Sequence, residues 1–122
     1  MATLTSTFLG IQAQFKVLHW QTGSYSKHKA FDGIYEELGG LIDTFMETYM
    51  GKYGRPVLEG EQDAIILSNI GEMNVGEFLE TITAFLLSFN NQLNDHKDSD
   101  LLNIRDEMLG EINKLKYLLT LK

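Results

Sequence analysis

The sequence predicts an all-α protein arranged as a four-helix bundle. Three observations predict it. Apolar residues recur at three- and four-residue spacing in four separate stretches, and strand-like alternation is absent. A single proline, Pro56, leaves those stretches uninterrupted. With 122 residues and 43% hydrophobic content, the chain is read as one domain, 1–122, with one core.

The first helix covers roughly 4–20, with Leu4, Phe8, Ile11, Phe15 and Leu18 as its apolar stripe. Gln21-Thr22-Gly23-Ser24 interrupts it, Gly23 standing where a helix stop belongs. The second helix starts near Ser26 and runs to about Met50. Phe31, Ile34, Leu38, Leu41, Ile42, Phe45 and Tyr49 line its inner face, and the stretch Gly51 to Pro56 ends it. Residues 57–73 form a connecting segment in which Ala64, Ile65, Ile66, Leu67 and Ile70 suggest a short helix. A third helix follows Asn74, whose pairing with Glu77 resembles a capping box. Val75, Phe78, Leu79, Ile82, Phe85, Leu86, Phe89 and Leu93 carry its core face. The fourth covers about 100–121, with Leu101, Ile104, Met108, Ile112, Leu115 and Leu119 inward.

Composition narrows the function. There is no cysteine, so any metal must be held by nitrogen and oxygen. The net charge is −7, from 17 acidic and 10 basic residues, and the first fifteen residues carry no lysine or arginine. DNA binding is therefore not expected, since it usually rests on a basic patch or arm. No apolar run is long enough to span a membrane. Met1-Ala2-Thr3-Leu4 does not open like a secretory signal. A cytoplasmic location is the expectation.

Two histidines and three carboxylates stand out: His19, His28, Asp32, Asp43 and Glu47. On a helical wheel with His28 at zero, Asp32 falls near ~40°, Asp43 near ~60° and Glu47 near ~100°, while the apolar stripe centres near ~285°. The last four residues share one face, and that face points away from the chain's own core. Asp32 and Asp43 are also roughly 16 Å apart along the axis, too far to share an ion. An antiparallel copy of the same helix, related by a two-fold axis, would bring His28 and Asp32 of one chain to Asp43 and Glu47 of the other. The crossing point falls beside Gly39 and Gly40, whose retention in a helix would be explained by close approach of two backbones. Imidazole with carboxylate suits iron, manganese or zinc. A polar helix face can also simply be solvated. His19 fits equally a histidine at the core edge bonded to backbone, and His96 reads as an exposed loop residue.

These residues resemble the signature of the Dps-like mini-ferritins, of the ferritin-like superfamily. That family has His-Trp at the end of its first helix, matched here by His19-Trp20. It then has His-x-x-x-Asp and Asp-x-x-x-Glu on the second helix, matched by His28/Asp32 and Asp43/Glu47, and a Gly-x-Pro, matched by Gly54-Arg55-Pro56. The match covers roughly residues 15–56, and compact acidic chains of this kind resemble Dps-like proteins predicted in tailed bacteriophages. The resemblance implies a ferritin-like bundle and a ferroxidase centre across a two-fold interface. It implies His19, His28 and Asp32 from one chain and Asp43 and Glu47 from its partner as metal ligands. Fe(II) would be oxidised with hydrogen peroxide or oxygen, with iron storage and protection from peroxide as the outcome. Trp20 would intercept radicals beside the site. Thr48 stands where the family usually has arginine, and the His19–His28 interval is shorter than the family's usual one. A helical oligomer that keeps the fold without the catalysis is the alternative expectation.

Overall fold

The computed structural model describes residues 3–122. Met1 and Ala2, part of the opening read above as unlike a secretory signal, lie outside the described residues. Five α-helices occur among the described residues: α1 (Leu4–Gln21), α2 (Tyr25–Tyr53), α3 (Val75–Leu87), α4 (Phe89–Gln92) and α5 (Ser99–Leu118). No strand occurs among the described residues, so the fold is all-α.

α1 forms because its stripe closes on the core. Leu4, Phe8, Ile11, Phe15 and Leu18 are all buried. Three residues, Thr22 to Ser24, reverse the chain, and the Ser24 side chain caps α2 by accepting the Lys27 N–H at 3.3 Å. α2 then lies back along α1 and buries Ala30, Phe31, Ile34, Leu38, Ile42 and Phe45. It runs past the expected stop, through Gly51, and ends at Gly54, whose φ of 85° favours glycine. α5 covers the other side of α2 with Leu101, Leu102, Met108, Ile112 and Leu115.

Two expectations are corrected. Residues 64–69 do not form a connecting helix, and the segment carries only single 3-10 turns at Gly60–Asp63 and Ile70–Glu72. The reason is competition from α1. Gln14 exchanges two hydrogen bonds with the Ser68 backbone, at 2.9 and 2.8 Å, and Gln21 accepts the Ile70 N–H at 2.8 Å. The backbone groups a helix would need are already taken by side chains. The third helix also stops early, at Leu87. The Ser88 hydroxyl donates back to the Phe85 carbonyl at 2.5 Å, and a single turn, α4, resumes at Phe89. Arg105 holds this break in place. It is buried, and its guanidinium donates to the Leu86 carbonyl at 2.9 Å.

At the far end of α2, Asp98 is only 3% exposed. Its carboxylate accepts the Tyr53 hydroxyl and, at 2.9 Å, the Asn94 N–H, and it pairs with Lys52 at 3.3 Å. The Tyr53 hydroxyl, the Asn94 N–H and the Lys52 ammonium hold this carboxyl below its usual 3.8. Lys52 does the same for Asp100, and the Glu59 N–H with the Ser6 hydroxyl does so for Asp63. Their stabilisation is therefore complete above the usual carboxylate value and lost as pH falls through the depressed folded values. Acid titration followed by circular dichroism should show wild type losing helix in that window. Asp98→Asn should be less stable at neutral pH and lose less on further acidification. An acid profile parallel to that of wild type would sink this account.

Candidate metal centre

The short reversal between α1 and α2 sets His19, in the last turn of α1, against His28, in the first turn of α2. The two rings stack with centroids 3.9 Å apart and planes 20° apart. Their hydrogen bonds are reciprocal: His19 Nδ1 donates to the His28 carbonyl and His28 Nδ1 to the His19 carbonyl, each at 2.8 Å. The His19 carbonyl belongs to the last turn of α1, where carbonyls lack helical partners, so the bond also closes the helix end. The reading of His19 as a core-edge histidine bonded to backbone is thus met, and its side chain is nearly buried.

That geometry fixes proton positions. A carbonyl oxygen can only accept, so both Nδ1 atoms carry hydrogen. In the neutral rings both Nε2 atoms keep their lone pairs. A histidine that ligates a metal is commonly oriented by just such a bond from its other nitrogen.

Asp32, one turn beyond His28, places Oδ1 3.8 Å from His19 Nε2. Metal–nitrogen and metal–oxygen bonds sum to about 4.2 Å, so a single ion can touch both atoms. The shorter interval between the histidines therefore does not keep His19 from Asp32. Lys16 Nζ lies 3.9 Å from the same oxygen. The ammonium also sits 4.5 Å from the Tyr35 ring centroid and 5.8 Å from that of Trp20. Trp20 itself is 69% exposed.

Asp43 and Glu47 are exposed on α2 and stand apart from this cluster. Among the described residues, no group of three or more histidine and carboxylate side chains could hold an ion within one chain. Asp43 lines a groove of about 430 Å³ between α1 and α2, with Leu9, Gln12, Met46 and Arg55. Gly39 faces the same groove. A Cβ on Gly39 would come within 2.5 Å of Gln12 Nε2 of α1, while Gly40 meets open space. The Gln12 amide is the far end of a flexible side chain and can move aside, so packing within the chain requires neither glycine. His96 is exposed in its loop, as expected.

Lys16 and Tyr35 were absent from the sequence-based ligand set, although both touch its surroundings. The signal was available. Lys16 stands three residues before His19, so both side chains leave the same face of α1.

These features define a helical protein with a histidine clasp and a carboxylate beside it. A family model matches residues 19–119, and the chain belongs to that family, the family of unknown function DUF5856. It is 32% identical over 116 residues, covering 93% of this chain and 83% of the relative, to a protein of Enterobacteria phage T4. That relative is described as an uncharacterized 14.6 kDa protein in the mobD-ri intergenic region. No solved structure matches.

Proposed function

We propose that this chain is a ferritin-like, Dps-like iron-binding protein that oxidises Fe(II) at sites shared between two copies. The observation that supports it most is the histidine clasp, which aims both Nδ1 atoms at backbone and leaves Nε2 of His19 within one ion's span of Asp32. In this reading His19, His28 and Asp32 come from one chain. Asp43 and Glu47 come from the other, Glu47 bridging and Asp43 as a terminal carboxylate. Each Fe(II) substrate gives up one electron to hydrogen peroxide or oxygen, which is reduced toward water. The carboxylates offset the charge gained by the ferric product. Zinc or manganese also suits such a donor set. Trp20, exposed beside Lys16, would take up stray oxidising equivalents.

A second copy has a surface to cover. Leu9, Trp20, Ile65 and Leu67 are 43–69% exposed and border a groove of about 370 Å³ lined also by Val17 and Tyr35. Apolar exposure of this kind is what an association surface would offer, and here it adjoins the ligand face. The described chain has no helix long and apolar enough to cross a membrane. With a phage relative, the host cytoplasm is the proposed setting, and DNA the least fitting partner for a chain of charge −7.

A second reading, a non-catalytic helical oligomer, draws on one observation. No buried polar side-chain atom among the described residues lacks a partner, so the clasp is complete as a structural device. The readings separate on mixing the protein with Fe(II) without oxygen, adding peroxide, and following ferric absorbance. Wild type should exceed the buffer rate, and His28→Ala and Asp43→Ala should each return to it. Variants as fast as wild type, or wild type no faster than buffer, would leave the structural reading standing.

A further inference from the structure

The site already holds a cation of its own. Lys16 Nζ and His19 Nε2 converge on one oxygen, Asp32 Oδ1, at 3.9 and 3.8 Å. The convergence follows from α1, where residues three apart share a face. The ammonium is held from two more sides, by the Tyr35 ring at 4.5 Å and the Trp20 ring at 5.8 Å. Such contacts between a cation and an aromatic face are attractive and strengthen as water is excluded. The Lys16 side chain is still 30% exposed, so it has a way out to solvent.

We propose that Lys16 is a displaceable resident cation that occupies Asp32 in the metal-free chain and must withdraw when a divalent ion binds. The inference rests on the site reading above and adds its regulation. An ion touching both His19 Nε2 and Asp32 Oδ1 would share with Lys16 the one oxygen that the ammonium already approaches. A charge of +2 and a charge of +1 would then compete for one carboxylate oxygen and repel each other at short range. Either the ammonium leaves or the ion binds poorly. Lysine suits the role because its charge is compact and its stem flexible, so it can swing away without disturbing α1. The consequence is selectivity by charge. A divalent ion can compete for Asp32 with the tethered ammonium, whereas a monovalent ion gains too little. Asp32 is paired with the ammonium in the empty site, and the exposed Trp20 carries the report, since the chain has one tryptophan.

The test uses Zn(II) as a redox-silent probe, by calorimetry on the full chain in wild type, Lys16→Met and Lys16→Gln. Both variants are expected to bind Zn(II) at least tenfold more tightly than wild type. Zn(II) should shift Trp20 emission in wild type as the ammonium withdraws, and by less than half as much in Lys16→Met. Asp32→Asn should remove the difference between lysine and methionine at position 16. Equal affinity in wild type and both variants, each still weakened by His19→Ala, would overturn the resident-cation proposal and leave the site standing. Weaker binding in both variants would make Lys16 a supporting residue and overturn it too. No binding by any variant, or binding indifferent to His19→Ala, would overturn the site reading and this inference with it. Thermal unfolding of each variant separates a loss of binding from a loss of fold.

Discussion

Two inactive variants should regain Fe(II) oxidation when their chains are mixed. One carries His28→Ala with Asp32→Ala, the other Asp43→Ala with Glu47→Ala. Each alone lacks half of every site in a two-fold pair. In a mixed pair one site loses both halves and the other is intact. Random pairing makes about half the pairs mixed, each with one working site of two, so the mixture should recover about a quarter of the wild-type rate. Pairs purified through two different tags should recover about half. The measurement is ferric absorbance after co-refolding in denaturant and dilution. A mixture as slow as either parent would sink the shared site, whereas wild-type activity surviving in either parent would mean that the ligands were chosen wrongly.

The size of this effect comes from distance along a helix. α2 is continuous from Tyr25 to Tyr53, so Asp32 and Asp43 are fixed at roughly 16 Å from each other by its rise. No side-chain rotation closes that gap. The complementation experiment therefore answers a question of geometry rather than of degree. Loss of activity in a single variant could follow from loss of fold, but recovery between two damaged chains cannot.

Much of this arrangement was legible in the residues because periodicity reports burial directly. The stripe of α1 from Leu4 to Leu18 is buried at each expected position, and Phe31, Ile34, Leu38, Ile42 and Phe45 are buried on α2. The wheel also kept Asp43 and Glu47 off the core, and both are exposed. What escaped was decided by side chains meeting backbone far away in sequence. Ile65, Ile66 and Leu67 look helical as a cluster, but Gln14 and Gln21 hold the chain around them extended from 54 and 49 residues away. Ser88 ends α3 through a local bond that apolar spacing does not register. For the site, residue type and spacing pointed to His19, His28 and Asp32. Only three dimensions could show that the two rings exchange bonds with each other's carbonyls, or that Lys16 Nζ comes to 3.9 Å from Asp32. A motif records which residues can bind an ion, not what occupies them in its absence.

Phe8→Ala should cost about 3–5 kcal/mol, the range for emptying a buried aromatic position. The net stability of a domain this size is about 5–15 kcal/mol, so the variant should stand at the edge of unfolding. Phe8 is the residue to choose because of what its ring joins. It lies 5.4 Å from Phe45 of α2, 5.4 Å from Phe85 of α3 and 6.1 Å from Phe89 of α4, each edge to face. Removing it takes one wall from three other helices at once. α3 and α4 are the elements most exposed to the loss, because the break at Ser88 leaves them short and these rings add to the hold of Leu79, Ile82, Leu86 and Arg105 on the core. Leu9, the next residue, is 48% exposed, and Leu9→Ala should change stability by no more than about 0.5 kcal/mol in the isolated chain. Urea unfolding followed by circular dichroism compares the two. A large fall in midpoint for Phe8→Ala at unchanged slope, with Leu9→Ala near wild type, is the expected pair of results. Similar midpoints for both variants would mean that the aromatic cluster does not unite the helices. In an oligomer the contrast should narrow from the other side, because Leu9 would then lose contacts to the second copy that it lacks in one chain.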